Sequence, residues 1–454
     1  MYCYPSRVTA EILMGIDEWV DYIQTLHVRE IDLSLERVRT VYNRLRPNGV
    51  EYKVITVAGT NGKGSTCELL ASIYTAAGYC VAKYTSPHIE RYNERFNVSR
   101  SDVSDDELLQ VFERVEVARK STRLTFFEFG TLVAIELFAV KQVDIAIMEV
   151  GLGGRLDAVN ILDADLSVVT SISVDHTDWL GSTRNEIGLE KIAISRPQRP
   201  CILGFSDVPV DVMNYCSENN IVTFLKNVHF NCFENKELGG WQWKSEYQSY
   251  VDLPLPFNQN DIQLDNASSA LMSIELMRHV MPVSEVSIHL GLQQASINAR
   301  CEIVSSNPTI VVDVAHNQAS IERLKKFVNA LSVSGKVYAL CGMLKDKQIK
   351  QNLLEIAGVV DEWNLVTISN DRGCSASDIQ KVLRDEVFTD IAERNTKCID
   401  GLNELIGSCS LKITCFDDVK TAYALIRPKL QVNDVLIVFG SFFIVNDIIP
   451  LLKK

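Results

Sequence analysis

The stretch KVITVAGTNGKGST, residues 53–66, constrains this chain more than any other. Three branched apolar residues, Val54, Ile55 and Val57, run into a glycine-rich turn. Ser65, Thr66 and a helix-like stretch follow. Glycine reaches positive φ and lets a phosphate approach the backbone without a Cβ in the way. Consecutive N–H groups then form an anion nest at a helix N-terminus, to which Lys63 adds a charge that bridges phosphates. A plain glycine-rich turn would not need strand, glycines, lysine and two hydroxyls in one register. The spacing departs from the common G-x-x-x-x-G-K-[ST], because Gly64 separates Lys63 from Ser65.

A strand–loop–helix of this kind implies a sheet with crossover helices, and the chain repeats the pattern. From 53 to about 225, the runs KVITVAG, YCVAKYTS, VDIAIMEVG, DLSVVTSIS and PCILGF alternate with helix-like stretches such as 65–77 and 128–140. Apolar runs without period-2 alternation indicate strands covered on both faces, hence a mostly parallel sheet. A second series begins near 309: TIVVDVAHN, KVYALCGM, EWNLVTIS, KITCF and DVLIVFGS. Between the series, VHFNCFENKELGGWQWKSEYQSY reads as a hairpin insertion and LDNASSALMSIELM as a helix. The expected architecture is α/β. An N-terminal P-loop ATPase-type domain with a mostly parallel sheet spans 1–297, and a C-terminal Rossmann-like α/β domain spans 298–454.

Composition narrows the function class. The net charge of −13, with no long basic run, argues against nucleic-acid binding, which needs clustered Lys and Arg. Twelve scattered cysteines contain no C-x-x-C, so zinc and disulfide frameworks are not expected. The N-terminal residues lack a continuous apolar core and carry early acids, unlike a signal or transit peptide. No apolar run reaches the roughly 18 residues a membrane span needs. A cytoplasmic monomer acting on small molecules, without membrane attachment, is the expectation.

Further motifs lie at strand ends. VDIAIMEVG ends in Glu149, where a buried-strand NTPase places a Mg²⁺-binding acid; carboxylate oxygen suits a hard cation. The glycines that follow fail the dinucleotide fingerprint, since residue 156 is Leu. Arg155 and Asp157 either pair with each other or line a site. TSISVDHTDWLG brings Asp175, His176 and Asp178 after a strand, as ligands or as structural residues. Lys191, in EIGLEKIAIS, reads on its own as a solvated helix residue. In SPHIERYNERF, Arg91 and Arg95 either grip a carboxylate substrate or pair with Glu90 and Glu94 on a surface face. Asp313, His316 and Asn317 follow the strand TIVV, where open α/β sheets bind ligands.

Taken in order, VAGTNGKGST, SPH, LTFFEFGTL, EVGLGGRLDAVNI, DHTDWLG and DVAHN resemble the bacterial bifunctional dihydrofolate synthase/folylpolyglutamate synthases of the Mur ligase superfamily. The likeness runs from about residue 16 to the C-terminus. It implies an ATP-dependent ligase that joins L-glutamate to dihydropteroate and to reduced folates, with ATP and Mg²⁺ as cofactors. By resemblance, Thr60, Asn61, Gly62, Lys63, Gly64 and Ser65 hold ATP, together with Asn266, Arg300 and Asp313. Ser86 and Glu149 bind one metal ion, and His176 contributes to a second position. Lys63, Lys191 and His176 are the implied catalytic residues, with Lys191 carbamylated. Asp32, Leu33, Ser34 and Leu35, with Thr125, Phe126, Phe127 and Glu128, line the implied pterin pocket.

The chain departs from the family in three places. Asn298-Ala299-Arg300 stands for Pro-Gly-Arg, Ile192-Ala193 follows Lys191 in place of Ala-Gly, and Gln318 follows Asn317 in place of Pro. Glycine permits backbone angles that alanine resists, so the turn before Arg300 is the departure with most at stake. The other readings open to such a chain are a single-function folylpolyglutamate synthase, another Mur-type amide ligase, and a P-loop regulatory ATPase.

Overall fold

The computed structural model describes residues 14–29, 31–235, 240–258, 264–331, 333–391 and 412–453. The first sheet has eight strands: β1 (Lys53–Ala58), β2 (Val81–Tyr84), β3 (Phe96–Val98), β4 (Ser101–Asp102), β5 (Ile145–Glu149), β6 (Leu166–Val169), β7 (Pro200–Leu203) and β8 (Val222–Leu225). Their order is β4-β3-β2-β5-β1-β6-β7-β8. The strands from β2 to β8 pair in parallel, and β3 and β4 close one edge antiparallel. The sequence pattern missed β3, β4 and β8. The first two are three and two residues long, too short to carry a period.

Alternate residues of the central strands serve opposite faces, as the pleat requires. Ile55, Val57, Ile145 and Ile147 pack with the helices Lys63–Ala76, Leu264–Met277 and Glu285–Gln294. Val54, Ala146 and Met148 pack with the helix Phe126–Val140. Both faces are therefore apolar, which is why the strands read as unbroken hydrophobic runs.

The predicted insertion is a three-stranded antiparallel sheet of β9 (Phe230–Asn235), β10 (Gly240–Ser245) and β11 (Ser249–Pro254). Trp241 and Trp243 are fully buried on its inner face. Each indole N–H finds a carbonyl, that of Pro254 at 2.9 Å and that of Ser268 at 3.2 Å.

The third sheet comprises β12 (Glu302–Ser306), β13 (Thr309–Val312), β14 (Val337–Cys341), β15 (Glu362–Val366), β16 (Lys412–Phe416) and β17 (Val435–Phe439), in the order β12-β13-β17-β14-β15-β16. Only β12 runs antiparallel. Residues 295–301 connect the helix Glu285–Gln294 to β12. Among the described residues no helix is long and apolar enough to cross a membrane.

Candidate active site at the strand ends

The phosphate loop joins β1 to the helix Lys63–Ala76, and the end of β6 holds it open. Thr60 N–H donates to Ser171 O at 2.9 Å, Asn61 N–H to Ser171 Oγ at 3.0 Å, and Thr170 Oγ1 to Asn61 O at 2.6 Å. The Thr60 hydroxyl bridges both backbone groups of Ser173. Two glycines have no substitute. A Cβ on Gly59 would lie 1.9 Å from Thr170 Oγ1, and Gly62, at φ +86, would place one 2.3 Å from Asn266 Oδ1. Gly64 differs, since a Cβ there would stand 3.7 Å from Glu149 Oε2 in ordinary contact. The extra glycine leaves the helix bare where it faces that carboxylate. Lys63 Nζ donates back to Gly59 O at 3.2 Å and Thr60 O at 3.4 Å. Ser65 lies in the buried first turn.

Glu149 ends β5 and is 5 % exposed. Its Oε2 accepts one hydrogen bond, from Ser86 N–H at 3.1 Å. Burial pushes its pKa up; the Lys63 charge opposes that, with smaller help from Ser86 N–H, Arg300 and Lys83. A buried carboxylate with a serine beside it and spare lone pairs fits a hard divalent ion whose other ligands are phosphate and water oxygens. Among the described residues no group of three His, Cys, Asp or Glu side chains could enclose a metal alone, and this donor set does not need one. Gly64, Ser86, Glu149, Ile297, Arg300 and Phe442 line a cavity of about 250 Å³.

His176 is placed elsewhere. It adopts φ +53, and its Nε2 accepts from Lys347 Nζ at 3.5 Å. Burial and the Lys347 charge depress its pKa to about 3. Among the described residues no hydrogen bond ties it to Ser86 or Glu149. Asp175 is the hub of this cluster. It accepts from Lys347 Nζ at 2.8 Å and from Asn317 Nδ2 at 3.0 Å, and lies 3.7 Å from His316 Nε2. Burial works against its charge, but His316 and Lys347 outweigh it and hold the carboxyl well below the usual range. Lys347 carried no signal of its own in the sequence. Asp178 is exposed and outside the cluster.

Lys191 overturns its reading as a solvated residue, for it is 4 % exposed in the helix Arg184–Ile192. Burial depresses its pKa to about 7, and the Lys63 charge adds to the effect. The helix position pointed outward only for a lone helix; here the glycines of residues 151–154 pack across it. A Cβ on Gly154 would meet Glu190 O at 2.6 Å. Arg155 and Asp157 do not pair with each other. Arg155 binds Glu190 at 2.8 Å, and buried Asp157 accepts from Leu152 and Val159 N–H at 2.9 Å each. Burial lifts Asp157 to about 6.

The two expected pterin segments meet through Arg37. Thr125 caps the helix Phe126–Val140 and forms a reciprocal box with Glu128, both nearly fully buried. Arg37 bridges Glu128 Oε1 at 3.1 Å and Asp32 Oδ1 at 3.2 Å. Arg37 thus ties the two segments together, and it was missed because a lone helical arginine looks like a solvated one. Ser34 Oγ accepts from Glu36 N–H in a local turn, and Leu33 and Leu35 are half-buried. Phe126 and Phe127 are half-buried as well, Phe127 6.0 Å from the Tyr84 ring and Phe126 5.2 Å from the Arg95 guanidinium. Arg91 and Arg95 do not share a face. Arg91 makes an exposed pair with Asp105, whereas Arg95 is 7 % exposed and donates to His88 Nδ1 at 2.8 Å.

From the connection into β12, Arg300 reaches the cavity with its guanidinium 5.5 Å from the Phe442 ring centroid. Asp313 is fully buried, accepting from Cys301 N–H at 2.7 Å and Ala315 N–H at 2.6 Å and pairing with Arg323 at 3.2 Å. Its carboxylate holds the turn after Arg300 and so fixes where that guanidinium is presented. Ala299 N–H donates to Glu302 Oε2 at 2.7 Å. Asn61 and Asn317 exchange side-chain amide bonds at 3.1 Å each way, joining the phosphate loop to the third sheet.

Comparison with known proteins agrees with this arrangement. Residues 57–239 match the Mur ligase middle domain and 299–442 the Mur ligase, glutamate ligase domain. The Escherichia coli dihydrofolate synthase/folylpolyglutamate synthase is 36 % identical over 98 % of this chain and 97 % of its own length. An E. coli FolC structure in complex with DHPP and ADP superposes with a TM-score of 0.87, at 36 % identity over 98 % of this chain and 99 % of that one. The Yersinia pestis bifunctional enzyme complexed with AMPPNP and Mn ion gives 0.85, at 36 % identity over 98 % and 100 %. The chain belongs to the dihydrofolate synthase/folylpolyglutamate synthase family of Mur ligases.

Proposed function

We propose that this chain joins L-glutamate to dihydropteroate and to reduced folates, using ATP and releasing ADP and phosphate. The observation that carries the reading is that Lys63, in the loop after β1, acts electrostatically both on buried Glu149 at the end of β5 and on buried Lys191 in the helix Arg184–Ile192. Transfer of the γ-phosphoryl to the acceptor carboxylate gives an acyl phosphate, and the glutamate amine displaces phosphate to form the amide. Such transfer asks for positioning and charge stabilisation rather than covalent help from the protein. The loop N–H groups and Lys63 hold the phosphates, and Arg300 adds charge from the opposite side. Ser86 and Glu149 would hold a divalent ion, Mg²⁺ in the cell, which polarises the transferred phosphoryl. Asn266 lies against Gly62, where it would meet the nucleotide.

Lys191 supports a carbamate. Carbamylation needs the neutral amine, and a lysine near pKa 7 is about half neutral at pH 7, roughly a thousandfold or more above an ordinary lysine. Phe126 and Phe127 are the candidate faces for a flat pterin, with Leu33 and Leu35 beside them. We assign residues 1–297 to ATP and pterin binding and 298–454 to closing the site. We assign the chain to the cytoplasm, as a monomer acting on small molecules.

The test is an assay of purified protein with ATP, Mg²⁺ and labelled glutamate, offering dihydropteroate or a reduced folate. Labelled amide product with both acceptors, and ADP release dependent on them, is expected. Product from reduced folate alone would make the chain a single-function folylpolyglutamate synthase, and ATP hydrolysis without acceptor dependence would remove the ligase reading.

A further inference from the structure

Glu68, on the phosphate-loop helix five residues after Lys63, lines the same cavity as Ser86 and Glu149. It is 6 % exposed and is tied to three other elements. Lys83 Nζ, on β2, lies 2.5 Å from Oε2; Arg100 Nη1, from the β3–β4 turn, lies 3.0 Å from Oε1; and Ser296 N–H donates to Oε1 at 3.4 Å. Arg100 also donates to Gln294 O at 2.7 Å. No motif in the sequence pointed to this group.

Lys83 has a second carboxylate within reach. In the β2–β5 register Lys83 stands opposite Ile147, and Glu149 is two residues further along on the same sheet face. Lys83 already acts electrostatically on Glu149. A flexible ammonium freed at that place would settle on Glu149 and take the lone pairs a divalent cation uses.

We propose that Glu68 is a positioning residue of this cavity, holding the Lys83 ammonium away from Glu149 so that the carboxylate stays open to the metal–nucleotide complex. The inference rests on Glu149 as a metal ligand. Arg100 pins the carboxylate from its other side, so a single rotamer of Glu68 serves both cations.

The experiment is calorimetric titration of the full chain with Mn²⁺·AMPPNP, which reads binding without turnover. Glu68→Gln should weaken binding about tenfold. Lys83→Met should stay within about twofold of wild type, and Glu68→Gln with Lys83→Met should recover most of the loss, because no ammonium is left to compete. Arg100→Met keeps the Lys83 contact and should bind within about threefold. Wild-type binding by Glu68→Gln, or a double variant as weak as Glu68→Gln, would overturn the proposal. An equal loss in Arg100→Met would also overturn it and assign Glu68 to anchoring residues 294–296. If Glu68→Gln does not fold, Glu68→Asp, which keeps the charge but shortens the arm, should show a smaller weakening that Lys83→Met again relieves. Glu149→Gln serves as reference: unchanged binding there defeats the metal assignment itself, whereas weakened binding there with none in Glu68→Gln defeats only this inference.

Discussion

Lys191 combines full burial with an amine close to neutrality, and both have measurable consequences. Its folded pKa lies below that of the unfolded chain, so the unfolded state holds the extra proton between about pH 7 and the ordinary lysine value. This residue therefore makes unmodified protein gain stability as pH rises through that window. A carbamate turns the repulsion from the Lys63 charge into an attraction by replacing the ammonium with an anion. Protein kept with ¹³C-bicarbonate at pH 8 should show one slowly exchanging carbamate signal that Lys191→Ala lacks. That variant should be nearly inactive, with partial rescue by acetate. A bare ammonium in nucleotide-bound crystals would end the carbamate assignment. Lys63→Ala should abolish ligation and leave the thermal midpoint within a few degrees, since among the described residues Nζ hydrogen-bonds only to its own loop. The loop and Glu149 were legible because strand, glycines and acid lie within short windows. Burial of Lys191 was not, because its helix is packed against Gly154, some forty positions away.

At the scale of elements, the connection into β12 decides how Arg300 is presented. Ala299 and Cys301 flank it at φ +54 and +49, both in the left-handed region. An L-residue there costs about 1–2 kcal/mol. Replacing Ala299 by glycine relieves that but gives back about 0.5–1 kcal/mol in unfolded-chain entropy and about 0.8 kcal/mol for a buried methyl. The terms nearly cancel. Ala299→Gly should thus shift the thermal midpoint by no more than a degree or two, while Ala299→Val, branched at Cβ, should lower it by several degrees and weaken nucleotide binding. A large gain from Ala299→Gly would mean the turn is more strained than these terms allow. This explains how alanine stands where the family places glycine. The sequence located the departure, but only the structure supplied the hydrogen bonds that Ala299 and Cys301 N–H donate to Glu302 and Asp313 and that keep the turn in place. Strand identity was legible for the same reason the motifs were: long apolar runs announce buried strands, and short edge strands do not.

Across the whole molecule, the two large sheets meet through polar groups. Lys347 and Asp175, 4 % and 8 % exposed in their side chains, form the most buried ion pair between them. Removing one partner of such a pair costs about 3 kcal/mol or more. Lys347→Met should widen the particle in small-angle scattering and reduce ligation. It should also raise the pKa of His176, whose depression owes most to burial and next to Lys347. An unchanged scattering profile would show that other contacts, such as Lys453 with Glu90 at 2.7 Å, suffice to hold the parts together.

The reciprocal amide pair of Asn61 and Asn317 latches the phosphate loop to the third sheet. Asn61 belongs to the loop that holds the phosphates; if nucleotide entry and ADP exit require that pair to part, its opening limits both. Arrival of ATP then becomes a two-stage event, in which an internal opening precedes capture. In stopped-flow traces the observed binding rate should level off as nucleotide concentration rises, at a ceiling fixed by how often the amides separate. Asn317→Ala should raise that ceiling, and a rate that climbs linearly without limit in the unaltered chain would show that the pair opens faster than ATP can arrive.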